Sequence, residues 1–381
     1  MICLFLDSFN KDYLKYTPFI KKLADENLSG NLEQPFGFTS SMASFVTGCW
    51  PDKHGIIDLF EKTDKHFSFE NKYLVSFLRY LQGKHFYYSP LKVTEKKYFK
   101  CVMNKYWAQR DCLKINTIFD IISLNSILQN TKKKFVCIDY PISFYGRYGK
   151  LFFNNSIENV FKLTRNAAKN KKVNFILSHV LDLDNIGHNF GVDSEEMKIA
   201  LKEIDELVKR VSELAEKTRR NLIIFSDHGM RNITGHIDLE KELDTLNLKY
   251  GKDYIYILGS TYARFWFFNN NAKEKVTNLL NKSEGGNIVN KKEYNLPNTD
   301  DLIFLAPTGI VFNPNFYGCD YQAMHGWNPK DESNQAFYLI KGFKGKKDAR
   351  MIDLMPTILE LMNIKQTVCD GKSLVKGSPI N

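Results

Sequence analysis

Residues 173–188 read VNFILSHVLDLDNIGH, and the fold is read from this stretch. Val173–Leu181 is a mostly apolar run of the length and composition expected for a strand buried on both faces of a parallel sheet. It ends in two acids, Asp182 and Asp184, and His188 follows four residues after the second. The same pattern recurs. MICLFL ends at Asp7, and NLIIFS ends at Asp227-His228. Ile2–Leu6, Phe135–Ile138, Leu222–Phe225 and Ala336–Ile340 are further strand candidates. Helical stretches lie between the runs. Thr17-Pro18 reads as a cap and first-turn proline, opening a helix through about Asp25. From Asp193 to Lys217, Met197, Leu201, Ile204, Leu207, Val208, Val211 and Leu214 form one helix face, with Asp193 or Ser194 as cap. Asp353–Met362 reads as another helix. This alternation predicts an α/β fold: a doubly wound, mostly parallel sheet flanked by helices. Parallel strands would gather Asp7, Asp182, Asp184 and Asp227 at the carboxyl edge, where open α/β sheets bind ligands.

The chain has 381 residues, 43% of them apolar, enough for one large core with inserted pieces. Two segments interrupt the alternation, 65–112 and 231–320, and both read as insertions that form caps on a single catalytic domain spanning 1–381. The first is crowded with Phe, Tyr and Lys: a surface to stack a base or sugar, or a small local core. The second carries its own strand, TYARFWFF, whose Arg264 is a candidate to reach a phosphate, and a helix near Ala272–Leu280.

The formal net charge of +10 favours an anionic partner, though a basic host proteome explains it equally well. The basic residues are dispersed and no recognised nucleic-acid motif appears, which argues against a nucleic-acid partner. The seven cysteines are odd in number and contain no CxxC pair, so neither a disulfide framework nor a cysteine zinc site is indicated. MICLFLDSF lacks a basic start and a cleavage site, and no apolar run approaches the ~20 residues of a membrane span. A cytoplasmic protein with no membrane partner is expected; the oligomeric state stays open.

Asp7, Asp184, His188, Asp227, His228 and His325 (in AMHGWNP) form a mixed carboxylate and imidazole set. That chemistry suits two zinc ions with open positions, manganese being the rival. His179 lies inside a strand and reads as a satisfied core residue. His54 reads as fixing a turn; His236 and Asp139 read as structural or surface, with Asp139 a spare acid.

Residues 34–56 read QPFGFTSSMASFVTGCWPDKHGI. Thr39, Ser40 and Ser41 stand just before an apolar helical stretch. A hydroxyl there is either an ordinary cap or a nucleophile activated beside a metal and a helix N-terminus.

Several motifs together resemble the phosphodiesterases and nucleotide pyrophosphatases of the alkaline phosphatase superfamily. They are Thr47-Gly48, Pro51 and His54-Gly55-Ile56 after the hydroxyl cluster; DNIGHNFG at 184–191; SDHGM at 226–230; MHGW at 324–327; and MIDLMPTILELMNI followed by DGKSL. The resemblance implies hydrolysis of a phosphate ester through a covalent phosphothreonine. One zinc would sit on Asp7, Asp227 and His228, the other on Asp184, His188 and His325. The substrate would be an anionic phosphorylated small molecule, a nucleotide or a sugar-phosphate. Relatives place the nucleophile nine residues before the TG threonine, which here is Phe38. Thr39 is the nearest hydroxyl, with Ser40 second, and the proline expected after it is missing. A phosphomonoesterase on the same scaffold is the alternative, and a non-catalytic nucleic-acid binder the alternative of another class.

Overall fold

All five apolar runs are strands of one sheet, which has eight strands among the described residues. The computed structural model describes residues 1–37, 39–58, 60–62, 99–101, 134–138, 149–152, 156–283, 285–315, 321–365 and 368–375. In chain order the strands are β1 (Ile2–Leu6), β2 (Leu28–Glu33), β3 (Lys134–Ile138), β4 (Gly149–Phe152), β5 (Val173–Val180), β6 (Leu222–Phe225), β7 (Ala336–Ile340) and β8 (Ala349–Arg350). Across the sheet they run β8-β2-β7-β6-β1-β5-β3-β4. From β6 to β4 all neighbours are parallel, while β7 is antiparallel to both β6 and β2.

β1 is buried on both faces. Ile2, Leu4 and Leu6 pack on one side against helix α4 (Glu195–Lys217), whose whole predicted stripe from Met197 to Leu214 is buried. Cys3 and Phe5 face the other side, with Phe45 and Val46 of α2 (Ser40–Thr47) and Ile358 and Leu359 of α5 (Leu354–Leu361). Ser194 caps α4 by accepting from Met197 N at 3.1 Å. Such a cap contributes about 1 kcal/mol. Each buried Leu, Ile or Val of the stripe contributes roughly 1.5–3 kcal/mol, so packing holds this helix and the cap only sets where it starts.

One local reading is corrected. Thr17 does not cap α1 (Pro18–Glu26): its hydroxyl turns back to donate to Tyr13 O at 3.0 Å. The free amides of Phe19 and Ile20 donate instead to the Asp205 carboxylate of α4, at 3.0 and 2.8 Å. β2 is the strand the sequence hides. LSGNLE has no apolar run, and Gly30 sits in it because a Cβ there would lie 2.3 Å from the Lys347 carbonyl oxygen.

The 231–320 segment builds an antiparallel sheet of Tyr254–Leu258, Tyr262–Phe267, Leu302–Leu305 and Asn287–Ile288, with helix Asn270–Leu280 and its own core. Of the 65–112 segment only Phe99–Cys101 is described, paired with Phe60–Lys62; the rest, and Asp139, lie outside the described residues. Among the described residues no helix is long and apolar enough to cross a membrane.

Arg264 does not face a phosphate site. It is 2% exposed, and its Nε donates to Asp300 Oδ2 at 2.8 Å. Lys291 Nζ lies 2.8 Å from the other oxygen of Asp300. Removing one partner of a buried ion pair leaves its charge uncompensated. Asp300→Ala is expected to lower stability by about 3 kcal/mol, read as a lower urea midpoint. A variant as stable as the unaltered protein overturns this account of the insertion core.

Candidate active site

Asp7 and Asp227 leave the adjacent strands β1 and β6 at the same edge of the sheet. β5, on the other side of β1, runs into helix α3 (Asp182–Phe190), which presents Asp184 and His188 one turn apart on a single face. His325 follows the two-residue strand Ala323–Met324, which pairs with Arg231–Asn232 just beyond His228. Distant stretches are thereby brought to one place.

His188 Nε2 and His325 Nε2 lie 3.4 and 3.6 Å from Asp184 Oδ1. His228 Nε2 lies 3.2 Å from Asp227 Oδ2 and 3.6 Å from Asp7 Oδ1. The His228 and His325 rings stack with centroids 3.7 Å apart. Ligand atoms of Asp184, His188 and His325 lie within 4.8 Å of one another, as do those of Asp7, Asp184 and His228. Asp184 thus stands at the junction of two candidate metal groups, where the resemblance gives it to one.

The electrostatics fit a cation. Burial, with Asp227 and Asp184 beside it, holds the Asp7 carboxyl well above the usual range. Burial likewise raises Asp227. Burial and the neighbouring His228 and His188 push His325 far down, which keeps its ring neutral, the form that ligates. Asp7 Oδ1 is buried with no hydrogen-bond partner among the described residues. Crowded carboxylates and imidazoles with an orphaned oxygen make a donor set suited to a divalent metal ion.

The outer contacts orient the rings. His188 Nδ1 lies 2.9 Å from Ala323 O, an acceptor only, so the proton belongs on Nδ1 and Nε2 is turned to Asp184. His179 is fully buried, stacked on Phe5 at 4.1 Å, and its Nε2 lies 2.8 Å from Asp7 Oδ2. It is a satisfied core histidine, as read, but the partner that satisfies it is a carboxylate of this site. Nothing in the sequence names that partner, because it depends on the register that sets Phe5 beside His179. Ser8 was also missed: its hydroxyl donates to Asp184 Oδ1 at 2.8 Å.

Thr39 is the residue before α2, and its side chain caps nothing. Its Oγ1 is buried with no hydrogen-bond partner among the described residues. Gly37 and Ser41, on either side of it, line one cleft with His228 and His325. Ser40 Oγ is engaged elsewhere, donating to the carbonyls of Phe36 and Gly37 at 2.7 and 3.0 Å. His54 holds the turn beyond α2. Ile56 N donates to its Nδ1 at 3.1 Å, which leaves Nε2 to donate to Ser44 Oγ at 2.9 Å. Burial pushes its imidazole down to about 3. The tail loop clamps the same turn, since Asp370 N and Gly371 N donate to Gly48 O at 2.9 and 3.0 Å. His236 is exposed.

A family model described as type I phosphodiesterase / nucleotide pyrophosphatase matches residues 1–328. Two curated relatives match shorter stretches. GPI ethanolamine phosphate transferase 2 of Kluyveromyces lactis is 29% identical over 104 residues, 26% of this chain and 13% of that protein. GPI ethanolamine phosphate transferase 3 of Schizosaccharomyces pombe is 35% identical over 68 residues, 17% of this chain and 7% of that protein. The chain therefore spans only a small part of the length of these relatives. Among solved structures, murine ectonucleotide pyrophosphatase / phosphodiesterase 5 superposes with a TM-score of 0.73 at 16% identity, over 98% of this chain and 97% of that one. Its inactive threonine-to-alanine form in complex with AMP gives 0.68 at 16% identity, and the human protein 0.69 at 18%, each with the same coverage. At such identity the likeness is one of fold.

Proposed function

The chain belongs to the type I phosphodiesterase / nucleotide pyrophosphatase family, and from that membership we propose that it is a metal-dependent phosphodiesterase that works through a phosphothreonine on Thr39. The observation that carries the reading is the meeting of Asp184, His188 and His325 with Asp7 and His228 at the sheet edge, beside a cleft lined by Gly37 and Ser41, with Thr39 between those two in the chain and its Oγ1 without a hydrogen-bond partner among the described residues. Asp184, His188 and His325 would hold one cation, and Asp7, Asp227 and His228 the other, with Asp184 within reach of both. Two bound divalent cations supply neutralisation of phosphoryl charge and a lowered pKa for a nearby hydroxyl. Zinc suits the donor set better than manganese.

Thr39 Oγ1 forms a bond to phosphorus as the bond to the leaving alkoxide breaks, and the threonine proton passes to solvent. Water then attacks the phosphothreonine, and the Thr39 oxygen leaves and is reprotonated. Splitting the displacement in this way replaces one difficult step with two easier ones. The AMP held by the inactive threonine-to-alanine relative supports both a nucleotide-type substrate and a threonine nucleophile. The sequence matches to ethanolamine phosphate transferases favour a second reading, in which an alcohol takes the place of water in the second step.

Hydrolysis of the para-nitrophenyl ester of thymidine monophosphate is expected to exceed that of para-nitrophenyl phosphate. It should vanish on chelation and return with zinc. Activity untouched by chelation overturns the metal reading, and a faster monoester makes the protein a phosphomonoesterase. With ethanolamine added as the acceptor alcohol, formation of the ethanolamine ester of thymidine monophosphate in place of free thymidine monophosphate selects the transferase.

A further inference from the structure

Ser8 is fully buried directly after Asp7, and its backbone adopts φ 61°, a left-handed conformation that disfavours any residue with a Cβ. Glycine would sit there without strain. What serine adds is a hydroxyl with a single proton, donated to Asp184 Oδ1 at 2.8 Å. The same oxygen lies 3.3 Å from His228 Nδ1. With its proton committed to Asp184, Ser8 Oγ can only accept there, so His228 must donate from Nδ1. Gly229 O, 3.2 Å from that nitrogen, makes the same demand. Ser8 N completes the set by donating to Asp227 Oδ1 at 3.4 Å.

We propose that Ser8 is a positioning residue that couples the two candidate metal groups, tying Asp184 to His228 and leaving His228 Nε2 as the nitrogen turned toward Asp7 and Asp227. The inference rests on the metal reading above. Ser8 supplies no ligand of its own. It sets the orientation of residues drawn from β1, α3 and the turn after β6, as outer hydrogen bonds do for ligating histidines and carboxylates.

Ser8→Gly and Ser8→Ala separate the hydroxyl from the backbone, because both remove the oxygen and only glycine relieves the conformation. Each variant is titrated with Zn2+ against a chelating indicator, and each is unfolded with urea in EDTA. Both are expected to bind Zn2+ about 10–100-fold more weakly. In EDTA the urea midpoint of Ser8→Gly should equal or exceed that of the unaltered protein. Undiminished Zn2+ affinity in both variants overturns the proposal, as does weakening confined to Ser8→Ala, which would assign the effect to the backbone. A Ser8→Gly midpoint that falls in step with its affinity also overturns it, since the hydroxyl would then be serving the fold. Absence of Zn2+ binding in the unaltered protein is a separate result: it removes the metal reading itself, and the role of Ser8 with it.

Discussion

Thr39→Ala will retain its metal and lose turnover by on the order of 10³-fold or more, the scale seen when a nucleophile is removed from a covalent mechanism. The expectation stands on the unused hydroxyl. In a threonine at the start of a helix, Oγ1 normally accepts from an amide of the first turn. Here it bonds to nothing among the described residues, although it is buried. Leaving a buried hydroxyl unsatisfied costs roughly 1–3 kcal/mol unless a ligand completes the site. Ser40→Ala should cost far less activity, since its hydroxyl already serves the carbonyls of Phe36 and Gly37. Acid quenching during turnover followed by peptide mass spectrometry should place the phosphoryl group on Thr39. Phosphate on Ser40 or Ser41, or full activity in Thr39→Ala, transfers the role to those residues.

Asp184→Asn is the second variant with a large expected effect, and its signature has two parts. Asp184 belongs to both ligand groups, so removing its charge should empty both: metal content by mass spectrometry falls from two equivalents toward none. His188→Ala touches one group only and should keep about one equivalent. The loss of affinity in Asp184→Asn should exceed the roughly 10–100-fold that follows loss of a supporting hydrogen bond. The metal-free fold should respond in the opposite sense. Asp184 helps to raise the Asp7 carboxyl, so the variant relieves repulsion and should unfold in EDTA no more readily than the unaltered protein. A variant that keeps both metals, or that unfolds without them, sinks the shared-carboxylate account.

The fold was legible wherever one residue's environment is uniform along a whole strand. Ile2–Leu6, Val173–Val180 and Leu222–Phe225 are buried along their whole length but for Asn174, so they read as apolar runs without knowledge of their partners. Leu28–Glu33 was not legible. It is stabilised by backbone pairing to Ala336–Ile340 and by the close approach that Gly30 permits, neither of which leaves an apolar signature. The antiparallel direction of Ala336–Ile340 was equally hidden, because burial on both faces looks the same whichever way a chain runs.

By itself the sequence determined which chemistry could assemble here: carboxylates at the ends of buried strands, His188 and His228 within a helical turn of two of them, and a hydroxyl cluster before an apolar helix. Those are local patterns, and local spacing carries them. Only the tertiary structure decided that Asp184 faces both groups, that His179 serves Asp7, that Ser8 joins Asp184 to His228, and that Arg264 is committed to Asp300. Each of these depends on strand register, on one backbone torsion at Ser8, or on pairing across a separate sheet. Hydrogen bonds act over about 3 Å, and residues far apart in the chain come that close only once the sheet has set their places.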